Sequence, residues 1–513
     1  MTNLVMELEN KFMFFKNRKS NKQQSKSTTP LPGYQEYLSR KIDIDENHKL
    51  PKDSETLHRF ITKIFQDSDD FQVRDMKLPS KQQVYIYYIN RLIDDSLLHD
   101  WIIHPLNKRI KENNLTYVKE SQEAVQANQI HEITNWKQLI QRCLTGHVIF
   151  HVDGLEAVSV KLASFEKRNT SDPTTEHQVY GPKMGFIEDS RTNVSIMRKF
   201  IADPRLKMKE FHVGTLSHTH VALLYLEEYV DPDLVQLVSE RIYKVADDNV
   251  VSSGQLEKYL FDHPMSVFPQ SMKTERPDNA SYSLSQGKVI VIVDNSTFGI
   301  ILPIAHFDLF LTSEDNFLQV WHKTLLRIVR MTSLIIATIF PALYVSLIAF
   351  HPELIPSTLA LTIAEARNNI PFTASAEAFM MVFALDVLVE SSMRLPQVVG
   401  QTVGIVGGLV IGQAAVEAGV VSSTMIIVVA STAIASFTTP SWDLVSSVRV
   451  CRYLLLILAS SLGLYGLSIG LFLIFIHLCH LTSLSKPYLS PLTPLNPKEL
   501  FQIFIQKPPR NNG

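Results

Sequence analysis

The feature that most limits what this chain can fold into is a long stretch with almost no charge. From residue 331 to residue 480 there are four basic side chains (Arg367, Arg394, Arg449, Arg452) and seven acidic ones (Glu353, Glu365, Glu377, Asp386, Glu390, Glu417, Asp443). Charged residues make up 19% of the whole chain. A segment this poor in charge and rich in apolar runs reads as a set of membrane-crossing helices. The 330 residues before it have an ordinary globular composition. The expected architecture is therefore an α+β region followed by an α-helical polytopic membrane domain.

With a formal charge of −2, the chain is a poor candidate for binding nucleic acid. Three cysteines, Cys143, Cys451 and Cys479, have neither a disulfide framework nor a zinc spacing. The first thirty residues are basic and low in complexity and lack the apolar core of a secretory signal. Residues 1–66 are expected to form a disordered basic arm that anionic lipid headgroups would attract. The large N-terminal part is expected to be cytoplasmic.

Two α+β subdomains are expected, over residues 67–166 and 167–322. Residues 84–89, 147–152, 221–226 and 288–293 are β-branched, nearly continuous apolar runs, the pattern of strands buried on both faces. Helices are expected over 193–201 and 233–245, the second with Asp231 as N-cap and Pro232 at the first position. His218 and His220 would share one strand face near His212, but no further carboxylate or thiolate completes a metal site. No P-loop, GxGxxG or GxSxG is present, and no cofactor is expected.

The membrane domain is expected over 323–485, followed by a tail, 486–513. Lys323, Arg327 and Arg330 precede an apolar run over 334–350 that contains Pro341, which places its start in the cytoplasm. Further spans are expected over 376–389, 398–415, 420–437 and 453–479. Five spans leave the tail outside, whereas four plus one re-entrant segment return it. Gly400, Gly404, Gly408 and Gly412 recur every four residues and form a ridge for close helix packing. Glu377, Asp386 and Glu390 stand in an otherwise apolar stretch, Asp386 and Glu390 on one helix face and Glu377 almost opposite. Either Glu390 pairs with Arg394 on an interfacial helix, or the three acids line a cation path.

Several motifs carry a resemblance. Glu176, Gly181-Pro182, Gly185-Phe186 and Arg191-Thr192-Asn193 come first. Phe268-Pro269-Gln270 follows, then Thr274-Glu275-Arg276-Pro277-Asp278, whose Glu275, Arg276 and Asp278 suit a local ion network. His351-Pro352-Glu353, Arg394-Leu395-Pro396, the glycine-rich run over 404–416 and Pro487-Tyr488-Leu489 complete the set. Over roughly residues 70–495 the chain resembles the A subunit of the GerA-type spore germination receptors. Asn90-Arg91, Asn295, Val389, Ser391 and Ser392 depart from that family's pattern. The resemblance implies a site in the spore inner membrane, B and C subunits as partners, and a response to nutrient germinants. It also implies self-association into a ring that conducts cations, with no enzymatic activity. A secondary transporter is the competing reading, but no internal repeat of the membrane segments supports it.

Overall fold

A computed structural model describes residues 34–42, 47–77, 83–104, 130–163, 172–173, 175–176, 178, 180–394 and 412–504. Its soluble half is built twice from one plan. The first sheet contains β1 (Phe71–Lys77), β2 (Gln83–Ile89), β3 (Ile130–Ile133), β4 (His147–Val152) and β5 (Ala157–Lys161), in the order β1-β2-β4-β5-β3. The second contains β6 (Leu206–Val213), β7 (Thr219–Leu226), β8 (Met272–Thr274), β9 (Val289–Val293) and β10 (Gly299–Leu302), in the order β6-β7-β9-β10-β8. All neighbours in both sheets are antiparallel, and the second order is the first with every strand advanced by five. The α+β expectation holds for this region, and the two sheets repeat one strand order.

Helices cover both faces of each sheet, which explains strands without polar alternation. The longer helices of the soluble half are α1 (Tyr34–Ile42), α2 (Ser54–Ile64), α3 (Trp136–Leu144), α4 (Ser190–Phe200), α5 (Pro232–Tyr243), α6 (Ser253–Leu260) and α7 (Pro277–Ser285). Short helical turns at Asp95–Leu98 and His99–Ile103 cover the second face of the first sheet. In β9, Val289, Val291 and Val293 pack towards α5 and α6, while Ile290 and Ile292 pack towards α4 and α7. Each buried valine or isoleucine contributes about 1.5–3 kcal/mol, so removing either helical layer would strand one half of the sheet's apolar surface in water.

Two expectations change at this level. Residues 1–66 are not all a disordered arm, because α1 and α2 lie inside that segment. Asp53 caps α2 by accepting from the Thr56 amide, and Leu57, Ile61 and Ile64 recur along one face and are fully buried on the first sheet. The basic composition of the first thirty residues masked this amphipathic pattern. His218 does not share a strand face with His220. It lies in the turn before β7 with φ 45°, while His220 sits opposite His212 on β6.

Buried polar groups join the two repeats. Arg198 on α4 donates to both Asp70 carboxylate oxygens (3.0 and 2.8 Å), to the Ser68 hydroxyl (2.8 Å) and to the Leu206 carbonyl (2.6 Å). Lys207 on β6 reaches back to the Ile64 carbonyl at 2.7 Å, and burial pulls its ammonium down to about 8. Tyr37 on α1 donates to Glu227 at 3.0 Å.

The helical half contains α8 (Val320–Phe350), α9 (Ser357–Arg367), α10 (Ala374–Met393), α11 (Ser423–Phe437) and α12 (Trp442–His480). Both α8 and α12 are long and apolar enough to cross a membrane. Pro341 lies inside α8 without ending it. The expected span over 453–479 is not one passage. At Gly463 the backbone takes φ 61° and ψ −139°, a conformation open to glycine and costly for other residues. There α12 folds back on itself, and Gly470 returns beside Leu455, where an added Cβ would lie 2.6 Å from the leucine side chain. At 1.5 Å per residue the outgoing limb is about 31 Å long and the returning limb about 25 Å. The turn itself meets Phe350 and His351 at the far end of α8.

Both ends of α12 therefore lie against the soluble half. Asp443 accepts from Lys273 at 3.3 Å, and Ser447 donates to the Val267 carbonyl at 2.6 Å. At the other end the Ser266 hydroxyl and His477 are 2.9 Å apart, and Thr482 donates to Asp262 at 2.6 Å. The tail stays there: Tyr488 is fully buried, and its carbonyl accepts from the His306 amide at 2.7 Å. The tail thus packs on the soluble half, beside both ends of α12.

Candidate functional site

The three acids of the apolar stretch all lie on α10, and each meets arginine. Glu377 is completely buried; Arg367 donates to its Oε2 at 2.5 Å and the Ser422 amide to its Oε1 at 2.5 Å, with the Ser422 hydroxyl as a third donor. This single carboxylate gathers the ends of α9, α10 and α11. Asp386 accepts from Arg452 Nη2 at 3.1 Å and from the Tyr453 hydroxyl at 2.7 Å, and Arg449 Nε lies 3.2 Å away. Glu390 accepts from Arg394 at 2.7 Å, one helical turn on, with both side chains exposed. Asp386 and Glu390 share a face and Glu377 points elsewhere, as their spacing requires.

All four arginines of the charge-poor stretch thus serve these three acids. Sequence reasoning found the Glu390–Arg394 pair from its i, i+4 spacing and missed Arg367, Arg449 and Arg452 as partners. The available signal was that a carboxylate away from water needs a countercharge, and the stretch holds only four cations. Of the glycine ridge, Gly400, Gly404 and Gly408 lie outside the described residues. Gly412 is buried, and a Cβ there would sit 3.8 Å from the Ile426 side chain, ordinary contact distance.

The quoted motifs of the soluble half meet in space. Thr274 donates to Glu176 at 2.9 Å, the Phe186 amide to the Glu275 carbonyl at 2.7 Å, and Arg276 to the Pro182 carbonyl at 2.9 Å. Arg276 also binds Asp278 in the first turn of α7, at whose first position Pro277 stands, while Glu275 turns away and accepts from the Thr175 amide. Among the described residues, the expected network shows the Arg276–Asp278 pair together with a clamp on residues about ninety positions earlier. Phe268 and Pro269 lead into Gln270, whose side chain accepts from the Asp262 and His263 amides at 2.9 Å and donates to the His263 carbonyl at 2.6 Å. The shaped loop gives Asp262 its place against the returning end of α12. Arg241, Thr482 and the Ser485 amide all donate to Asp262 and hold its carboxyl below the usual range against the opposing effect of burial.

Between the second repeat and the helices lies a cavity of 780 Å³. Glu176, Gln178 and Lys273 line it from the soluble side, and Asp386, Arg449 and Arg452 from the helical side. Burial pushes the Glu176 carboxyl up to about 7, opposed by the Thr274 hydrogen bond and by Arg276. Among the described residues no group of three histidine, cysteine, aspartate or glutamate side chains is placed to hold a metal. His220 is engaged instead by Glu210 and by Ser190 at 2.9 Å.

Comparison with known proteins agrees with this arrangement of motifs. The family model described as Bacillus/Clostridium GerA spore germination protein matches residues 59–512. Spore germination protein GerLA of Bacillus cereus is 34% identical over 443 residues, 86% of this chain and 90% of that protein. Spore germination protein A1 of Bacillus subtilis (strain 168) is 33% identical over 448 residues, 87% of this chain and 92% of that protein. The membrane protein YfkQ of the same strain is 34% identical over 425 residues, 83% of this chain and 83% of that protein. A crystal structure of the N-terminal domain of the A subunit of the Bacillus megaterium spore germinant receptor GerK3 aligns with 50% of this chain and 96% of its own. That alignment has 23% identity and a TM-score of 0.38. With a family model spanning most of its length and relatives a third identical over more than four fifths of it, the chain belongs to the GerA spore germination protein family.

Proposed function

We propose that this chain is the A subunit of a nutrient-responsive spore germination receptor, embedded by its helical half in the spore inner membrane with both soluble ends in the cytoplasm. The observation that carries this reading is the fold-back at Gly463. It gives an apolar bundle that leaves the soluble half along α8 and comes back to it along the second limb of α12. Large apolar side chains from Ile335 and Ile336 to Phe472 and Phe475 are exposed along those helices, as lipid contact requires. Lys323, Arg327 and Arg330 lie at the soluble end of α8, the cytoplasmic end by charge bias. B and C subunits are the partners that the family resemblance implies.

The finer proposal is that copies of the chain associate into a ring that conducts cations when germinant is bound. Within one chain, Glu377 is held by the part-buried Arg367, and Asp386 by the buried Arg452 with Arg449. Glu390 is half-exposed and pairs with the exposed Arg394. Glu390 is therefore the acid that a ring would present to passing ions, since a band of carboxylates favours cations. Asp386 acts as a joint between α10 and α12. Planar-bilayer recording of the purified complex, with and without candidate germinants, tests this. Germinant-dependent, cation-selective current is expected; a protein-competent bilayer with no germinant-dependent current favours a non-conducting signalling subunit.

A further inference from the structure

The cavity at the junction of the two halves is of a size that small-molecule sites have, and its chemistry is lopsided. Arg452 is 3% exposed and lines it. One guanidinium nitrogen, Nη2, donates to Asp386, but Nε and Nη1 are buried with no hydrogen-bond partner. A buried donor left unmade costs about 1–3 kcal/mol, and more when it belongs to a charged group. Across the cavity, Gln178 donates its amide to Ser313 at 2.6 Å, while its Oε1 is buried without a partner. Two orphaned polar groups from different halves of the protein therefore belong to one lining.

Beside Arg452 two arginines face one aspartate, while Glu314 and Asp443 also line the cavity. Asp386 is shared by Arg449 and Arg452, whereas Lys273 is matched by Glu257 at 2.9 Å and Asp443 at 3.3 Å. Glu176, with its carboxyl pushed up to about 7, is substantially neutral near pH 7 and repels an anion less than an ordinary glutamate would. The remaining wall includes Leu385, Val389, Phe437 and Trp442. An ion carrying only charge would leave that apolar surface unfilled.

We propose that this cavity binds an amphipathic anion, a carboxylate or phosphate group carried on an apolar body, whose anionic end is received by Arg452. Such a ligand ties the second repeat to α10, α11 and α12 at once. The proposal does not depend on whether the chain conducts ions. Two sources carry this chemistry, a membrane phospholipid and a free amphipathic acid.

The test uses the full chain purified in non-ionic detergent, with thermal unfolding followed at constant ionic strength. Sodium hexanoate, hexyl phosphate and dihexanoylphosphatidylglycerol are titrated separately, with hexanol as the uncharged control. A ligand that binds the folded state raises the midpoint in a saturable way. A saturable rise with at least one anion and none with hexanol is expected. Arg452→Gln should weaken binding at least tenfold, and Arg394→Gln, on the exposed pair, should leave it unchanged. Ala433→Phe adds bulk to the cavity wall while keeping both members of the Asp386–Arg452 pair and should abolish the saturable rise, so the test survives if Arg452→Gln does not fold. Tighter binding of dihexanoylphosphatidylglycerol than of the two free amphiphiles assigns the site to lipid, and the reverse order assigns it to a soluble acid. No saturable rise with any of the three anions, or equal affinity in the wild type and Ala433→Phe, overturns the proposal.

Discussion

The soluble and helical halves both hold distant segments together with buried ion pairs, but they depend on them differently. In the soluble half, each sheet is already fixed by apolar faces covered on both sides. The Arg198–Asp70 pair then sets how one finished repeat sits on the other. On the proposed membrane placement, the apolar faces of the helical half meet a medium as apolar as themselves, so hydrophobic burial discriminates weakly between helix arrangements. There Glu377 with Arg367 and Asp386 with Arg449 and Arg452 specify which helices lie together, and Gly463 specifies where the last segment turns. A pair of this kind acts as an aligner in a folded core and as an organiser among helices in lipid.

Breaking one joint in each half separates these roles. Arg198→Met leaves the Asp70 carboxylate buried beside an apolar chain and should cost about 3–5 kcal/mol of soluble-half stability, read by denaturant unfolding of the full protein. Adding Asp70→Asn should recover a large part, because the unpaired charge is the main cost. The same single cut in the helical half, Asp386→Asn, should reduce assembled protein and loosen α10 from α12, seen as faster proteolysis of the helical half while the soluble sheets keep their unfolding midpoint. Equal loss of both halves would erase the distinction.

Gly463→Ala comes next. The added methyl would lie 2.7 Å from Phe350 Cβ, and the residue would have to keep a positive φ. Strain of about 1–3 kcal/mol is expected, with a fall in recovered protein that Gly412→Ala, at a roomier position, does not reproduce. A smaller effect marks the seam between the halves. His306 packs beside Phe268, Phe310 and Tyr488, and burial lowers its pKa from 6.5 to about 4. The folded state therefore binds fewer protons than the unfolded state between those values. Its contribution is complete above pH 6.5 and is lost as pH falls towards 4, about 3 kcal/mol in all at 1.36 kcal/mol per unit. His306→Phe should flatten that part of the acid-stability profile. Glu390→Gln should change stability least, by about 0.5 kcal/mol or less for an exposed pair, and should show itself in ion selectivity.

How much of this could be read in the sequence follows the range of each interaction. Local patterns were legible: the apolar runs of β7 and β9, the Asp231 cap with Pro232, and the Glu390–Arg394 spacing all act within a few residues. The duplication of the two sheets was not, because it lives in strand order. The third and fourth strands of each repeat are joined through unlike helices, α3 capped by Asn135 and α7 opened by Pro277. Gly463 was hidden because one glycine inside a long apolar run looks the same in a straight helix and in a turn. The partners of Asp386 are more than sixty positions away. Their positions near the start of a helix read equally well as topology markers. Cys143 is buried in the first core with its thiol pushed up to about 12, so a thiol reagent does not read sidedness there, whereas Cys479 is exposed.

The central claim is that the helical half returns the chain to the side it left. In a Cys479→Ser background, Lys498→Cys places one exposed thiol in the tail and Asn369→Cys places one beyond the opposite end of the bundle. A membrane-impermeant maleimide is applied to right-side-out and to inverted vesicles. The account predicts that Lys498→Cys is labelled only in inverted vesicles and Asn369→Cys only in right-side-out ones. Labelling of Lys498→Cys in intact right-side-out vesicles would contradict the fold-back at Gly463.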